Sequence, residues 1–249
     1  MEGQSEYLPT AQSQKFNEHY FSADNYGVPG GYESYDNPGF WKNTLQAIAK
    51  YVPNPQDGTY LDLGCAFGHL LKRVPFGKRV GVDIGAYPLR VAKERVPDPK
   101  DLVLSDVGKL PFADKSFNCI TALDVVEHTP DFQKTIGEIS RVLKDEGIFI
   151  VGTPITDTPE AKVWGKYFDK DTTHYSKPSR AELFQFLEQA GLEVLEFKYY
   201  FPIPTAKLKF PRTNIEVVTR KTNLPAEKLR ERHNQNFTSI ANLRQKSDK

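Results

Sequence analysis

Thr59-Tyr60-Leu61-Asp62-Leu63-Gly64-Cys65-Ala66-Phe67-Gly68-His69-Leu70 reads as an apolar strand that runs into a tight glycine turn and then into a helix. Gly64 and Gly68 lack a Cβ, so the backbone can turn sharply and bring its N–H groups close to a bound ligand at the helix start. Working outward, Val80-Gly81-Val82-Asp83 is a second short apolar run ending in an acid, 21 residues after Asp62. That is close to the spacing of about 20 residues at which a second-strand carboxylate reaches ribose hydroxyls. Leu102-Val103-Leu104-Ser105-Asp106 repeats the design with a third acid. A dinucleotide site needs G-x-G-x-x-G so that a pyrophosphate can sit on a helix N-terminus. Gly64 to Gly68 reads G-x-x-x-G with no glycine at the required place after it. A pyrophosphate, and with it a nicotinamide enzyme, is disfavoured; a ligand with a ribose and a base but no phosphate is expected.

Periodicity extends the pattern. Asn37-Pro38 opens a helix in which Trp41, Leu45, Ile48 and Val52 recur at helical spacing, with Pro38 suited to the first helical position. Strands are predicted at 59–63, 79–83, 102–105, 117–123, 147–153 and 192–199, with helices near 88–96 and 131–143, the latter carrying Phe132, Ile136, Ile139 and Leu143 on one face. Ser179-Arg180-Ala181-Glu182 is a capping box, and Gly191 stops the helix that it opens. Strands alternating with helices require a parallel sheet covered on both faces, and ligands of such sheets bind beyond the carboxyl ends of the strands.

The chain has 249 residues, within reach of one large α/β domain with extensions. We expect an aromatic N-terminal extension or lid over residues 1–36, the main domain over 37–220, and a basic tail over 221–249. Eleven Lys/Arg against four Asp/Glu from Lys207 to Lys249 put about seven positive charges there, although the whole chain carries only +1. A tail of this kind can meet an acidic partner or simply remain solvated. Cys65 and Cys119 are the two cysteines, and both fall on strand ends, as reduced packing thiols of a cytoplasmic protein would. Met1 to Lys15 is polar, unlike a signal peptide, and no apolar run approaches the roughly 18 residues of a membrane span.

Five segments in order resemble one family, the class I S-adenosylmethionine-dependent methyltransferases, in particular their small-molecule, type 11-like subgroup. Leu61-Asp62-Leu63-Gly64-Cys65-Ala66-Phe67-Gly68 resembles the family's glycine turn, Asp83 its ribose-binding acid, and Ser105-Asp106-Val107 with Leu110-Pro111-Phe112 its adenine segment. Phe117 to His128 resembles its fourth strand and the loop beyond, and Arg141 to Val151 its next helix and fifth strand. Two departures stand out: the family's middle glycine is Ala66, and its usual Pro-Gly-Gly is Asp145-Glu146-Gly147. The resemblance implies a Rossmann-like, seven-stranded, mostly parallel sheet with an antiparallel seventh strand at Ile215 to Thr219. It also implies S-adenosylmethionine as cofactor and S-adenosylhomocysteine as product. It assigns Asp62, Gly64, Cys65, Ala66 and Gly68 to the methionine part, Asp83 with Ile84 to the ribose, and Asp106 with Val107 to the adenine, with Leu123 and Asp124 beside them. Any one strand-end acid can instead serve as a helix N-cap.

Methyl transfer to a hydroxyl needs a group to take its proton, which histidine can do near neutral pH. The candidates are His128, directly after the fourth strand, and His174 in Asp171-Thr172-Thr173-His174-Tyr175. In the family a Glu-His pair also serves to orient this loop. His69 is expected as a cofactor neighbour or cap, and His19 and His233 have no supporting context. No metal is expected; the alternative is a divalent cation on Asp124, Glu127, His128 and His174, which resembles the ligand pattern of some quinone-biosynthesis and small-RNA 2′-O-methyltransferases. Aromatic residues crowd two places: Tyr20, Phe21, Tyr26, Tyr32, Tyr35, Phe40 and Trp41 beside Gly27, Gly30 and Gly31, then Trp164, Tyr167, Phe168 and Tyr175. Phe201-Pro202-Ile203-Pro204 adds a further edge. No interleaved basic and aromatic pattern covers the expected mouth, so a small-molecule acceptor such as a sugar or quinone-like ring is expected before nucleic acid. The alternatives are a metal-assisted RNA methyltransferase, favoured slightly by the basic tail, and a cofactor-binding module without transfer activity.

Overall fold

The computed structural model describes residues 10–22, 30–96, 101–167, 171–203, 206–208 and 211–235. Tyr26, Gly27, Phe168, Pro204 and the tail beyond residue 235 lie outside the described residues.

Asn37 starts the first helix, α1 (Pro38–Tyr51), because its side chain accepts the Gly39 N–H at 2.8 Å while Pro38 has no N–H to leave unpaired. Phe40, Trp41, Thr44, Ala47 and Ile48 form its buried stripe. There follow β1 (Thr59–Leu63), β2 (Lys78–Asp83), α2 (Ala86–Arg95), β3 (Leu102–Leu104), β4 (Phe117–Leu123), α3 (Phe132–Val142), β5 (Leu143–Pro154), α4 (Pro159–Tyr167), α5 (Arg180–Gln189), β6 (Leu192–Ile203), β7 (Ala206–Leu208) and β8 (Asn214–Lys221). A further helix covers 226–235.

The sheet order is β3-β2-β1-β4-β5-β8-β6-β7. β1 to β5 pair in parallel, and β8 lies antiparallel between β5 and β6. The expected seven strands are all present, with the expected antiparallel one as β8. β7 is an addition that pairs only with the far end of β6, placing Phe201 opposite Leu208. Strand alternation feeds two cores. Leu61, Leu63, Phe149 and Val151 pack with Ile136, Ile139, Leu183 and Leu187 on one face, while Tyr60, Ile148 and Ile150 pack with Ile48, Leu70, Leu71 and Ala92 on the other.

Two sequence expectations need correction. The glycine turn does not lead into a regular helix: residues 69–73 form overlapping turns, closed by Lys72 N–H to Gly68 O at 3.1 Å and Arg73 N–H to Leu70 O at 2.8 Å. Pro75 follows at once and Lys78 already opens β2, so the crossover is too short for a helix to propagate. β5 also starts at Leu143, earlier than expected, with a register shift opposite Phe117 and Cys119. Asp145-Glu146-Gly147 makes that irregularity. Glu146 has φ +60, and a Cβ on Gly147 would lie 2.7 Å from Lys144 O, so only glycine fits there.

Candidate active site

β1, β2, β4 and β5 are parallel, so their carboxyl ends open on one edge of the sheet, where a cavity of about 1290 Å³ lies. One wall is made of strand ends. Gly64 (φ +63), Ala66 (φ +44) and Gly68 (φ +74) bend the chain after β1 in the left-handed region. A Cβ at Gly64 would sit 2.3 Å from Val125 Cγ2, and one at Gly68 equally close to Val96 Cγ2. Ala66 is the one of the three that carries a Cβ in this strained conformation.

Asp83 ties the turn to β2. Its Oδ2 accepts the Ala66 N–H at 3.0 Å and its Oδ1 the Gly85 N–H at 2.8 Å. Burial pushes its carboxyl up to about 6, against the pull of those backbone N–H groups. The Ile84 N–H is a third backbone group acting on this carboxyl, and Asp83 with Ile84 lines the cavity. Asp106 lines it too, with Oδ1 accepting the Gly108 N–H at 2.7 Å in a tight local turn, and Val107 stands next to it. Leu123 and Asp124 complete this side; Asp124 has φ +54, and its Oδ1 accepts from Asn214 Nδ2 at 3.0 Å.

Three other residues named from the glycine turn stand behind the wall. Asp62 points into the core, where Thr121 Oγ1 donates to its Oδ1 at 2.7 Å, and burial raises its carboxyl to about 7. Cys65 packs at Gly81, Gly68 against Val96, and none of the three is among the cavity-lining residues. Both cysteines are free and buried, and burial raises the Cys65 thiol far above its usual range.

The facing wall is built by side chains from distant segments. His128 sits in the short turn after β4, buried, with Nδ1 2.8 Å from Thr173 Oγ1. Thr173 Oγ1 donates to Asp171 Oδ1 at 2.5 Å, and the Thr173 N–H reaches the same oxygen at 2.8 Å. Tyr20 donates to Asp171 Oδ2 at 3.2 Å, and His174 Nε2 lies 3.6 Å from that oxygen. Burial works against the Asp171 charge, but the Thr173 hydrogen bonds and the His174 and His128 imidazoles hold its carboxyl below the usual range. Phe16 meets the His128 ring edge-on at 5.4 Å, and Gln12 donates to the His128 carbonyl.

Glu127 is fully buried, with Thr153 Oγ1 donating to Oε2 at 3.1 Å and, among the described residues, no hydrogen-bond partner on Oε1. Burial, and then the Asp124 charge, raise its carboxyl far above the carboxylate range. Glu127, His128 and His174 offer ligand atoms within 4.8 Å of one another, a grouping able to hold a cation. Asp124, the fourth member of the alternative metal set, is outside that group.

The structure thus brings His128 and His174 together, with ring centroids 4.7 Å apart, on the cavity that Asp83 and Asp106 also line. His69 is not part of it: the imidazole is buried against Tyr32, 5.4 Å centroid to centroid, and burial lowers it to about 4, so it is neutral. His233 packs on Phe184, 3.7 Å from Glu188. Sequence reasoning missed the Asp171–Thr173 link and Gln12. Asp-x-Thr is a recognisable local turn and could have flagged the first; Gln12 carries no sequence signal.

Residues 61–151 match the family model described as a methyltransferase domain. The ubiquinone biosynthesis O-methyltransferase of Saccharophagus degradans is 30% identical over 154 residues, covering 55% of this chain and 64% of that protein. The sterol 4-C-methyltransferase of Caenorhabditis elegans is 30% identical over 139 residues, covering 53% of this chain and 42% of that protein. The chain spans about half the length of the curated relatives that it matches. A methyltransferase of Haloferax volcanii, solved with its Trm112 activator, shares the fold with a TM-score of 0.61 over 74% of this chain and 90% of that one, at 20% identity.

Proposed function

We propose that this chain is a class I S-adenosylmethionine-dependent methyltransferase that methylates a hydroxyl oxygen of a small-molecule acceptor, with His128 receiving the acceptor proton. The observation that carries this reading is that one cavity is walled by the strand-end acids Asp83 and Asp106 on one side and by His128 on the other. The residues fit an adenosyl group. Asp83 offers a carboxylate to the ribose hydroxyls, Asp106 and Val107 edge the adenine position, and Gly64 with Ala66 line the wall where the amino-acid end would lie. At about 1290 Å³ the cavity exceeds the 300–1,000 Å³ usual for a single ligand, which leaves room for an acceptor beside the cofactor.

Bound S-adenosylmethionine supplies a methyl group on a cationic sulfur, which leaves with the bonding electron pair as S-adenosylhomocysteine. His128 Nε2 takes the proton of the acceptor hydroxyl as its oxygen bonds to the methyl carbon. Phe16, Tyr20, Phe21 and Tyr32 cover the turn side of the cavity and restrict water there, as a lid would. Trp164 and Phe201, 4.8 Å apart edge to face, offer apolar surface to a planar or hydrocarbon acceptor.

Calorimetric titration with S-adenosylmethionine, S-adenosylhomocysteine and NAD tests the cofactor, and a screen of acceptors with a labelled methyl donor tests the transfer. On an acceptor so found, His128→Ala is expected to lower kcat by about 10²–10⁴ with cofactor affinity within threefold; full activity would remove the proton-acceptor role. The grouping of Glu127, His128 and His174 favours a second reading, in which a divalent cation acidifies the acceptor hydroxyl. Elemental analysis and turnover in a strong chelator decide between the two: turnover persisting in metal-free protein excludes the cation.

A further inference from the structure

We infer that Asp171 and Thr173 are positioning residues that hold the His128 imidazole in its Nδ1–H tautomer through an Asp171–Thr173–His128 relay, leaving Nε2 as the basic nitrogen. A threonine hydroxyl has one proton to give. Asp171 Oδ1, 2.5 Å from Thr173 Oγ1, is the stronger acceptor, so that proton goes to the carboxylate. Thr173 Oγ1 then faces His128 Nδ1 at 2.8 Å with a lone pair, and the contact is a hydrogen bond only if Nδ1 carries hydrogen. Neutral imidazole has a single N–H, so Nε2 holds the lone pair.

The carboxylate is fixed for this task. The Thr173 N–H binds the same Oδ1 at 2.8 Å, and Tyr20 from the N-terminal segment binds Oδ2 at 3.2 Å. The loop does not depend on the hydroxyl to stay in place. Tyr175 and Ser176 both donate backbone N–H groups to Glu127 O, at 2.8 and 3.2 Å, and so tie it to the turn that carries His128. The Thr173 hydroxyl is therefore an orienting group rather than an anchor. Its catalytic weight rests on the His128 reading above, while the tautomer itself does not.

The test reads the tautomer directly. Nitrogen-15 NMR of the full chain, imidazole-labelled and assigned with His128→Ala, is expected to show His128 protonated on Nδ1. Thr173→Val is expected to move the population toward Nε2–H, and Thr173→Ser to restore Nδ1–H. With an acceptor in hand, Thr173→Val should lower kcat about 10- to 100-fold with KM within threefold, and Thr173→Ser should recover most of it. An Nε2–H tautomer in the unaltered chain, or one that Thr173→Val leaves unmoved, overturns the relay even if His128→Ala abolishes turnover. Nδ1–H with His128→Ala fully active supports the relay and removes only the proton-acceptor role.

Discussion

The wall formed by Gly64, Ala66, Asp83 and Asp106 comes from three strand ends within 43 residues of chain, whereas the facing wall draws Tyr20, His128, Asp171 and Thr173 together across as many as 153 positions. The first is fastened by backbone geometry: left-handed residues after β1 and carboxylates that accept main-chain N–H groups. The second is a chain of side chains bonded to side chains, on a loop that two backbone N–H groups tie to Glu127 O. Changes to the first wall should therefore act on folding and cofactor affinity together, and changes to the second on turnover with the cofactor still bound.

The largest break in that contrast is expected at Gly64. Gly64→Val puts a branched side chain at φ +63 and into Val125, and is expected to abolish cofactor binding and to cost about 3 kcal/mol or more of stability. Calorimetry and thermal melting check this; a stable, cofactor-binding variant would show that the turn tolerates a Cβ. Asp83→Ala should weaken cofactor affinity about 100-fold, because ribose hydroxyls lose a charged acceptor and two main-chain N–H groups lose theirs. Affinity within threefold of the unaltered chain would separate Asp83 from the ribose.

A smaller, pH-dependent effect belongs to Asp62. Its carboxyl stands near 7 in the folded chain against 3.8 in the reference state, so the folded form holds the proton more tightly. The unfolded chain ionises first, and this group's contribution to stability is present below pH 4, falls as pH rises toward 7, and is flat above that. Asp62→Asn should therefore gain on the unaltered protein between pH 4 and 7 in urea unfolding, by an amount on the order of 1–4 kcal/mol. Parallel stability curves across that window would refute the burial argument. The smallest effect is expected at Ala66, the strained member of the turn. Ala66→Gly should raise stability by about 0.5–1 kcal/mol, read as a higher melting temperature, with cofactor affinity little changed. A loss of stability would mean that the Ala66 methyl contributes more by packing than its backbone loses by strain.

The strand-end acids were legible because each is the last residue of a short apolar run, and the parallel sheet then fixes which edge they share. Where the structure departs from the sequence pattern, the cause is local. Lys72 and Arg73 sit in a sequence that propensity reads as helical, yet the crossover from Gly68 to Lys78 leaves too little chain and ends in a proline. Asp62 carried the same signature as Asp83, but strand alternation turns it toward Thr121 and away from the cavity. Asp124 was grouped with Glu127 and His128 by spacing, yet its φ of +54 places it toward Asn214.

The fold and the edge of the sheet on which the cavity opens were legible in the sequence, because periodicity and glycine placement are local and a parallel sheet has one carboxyl edge. Only the tertiary structure decided which acids face the cavity and how His128 is held. Those depend on side chains separated by tens of residues, such as Thr173 on His128 and Tyr20 on Asp171, whose meeting is set by packing and by the need to satisfy buried polar groups.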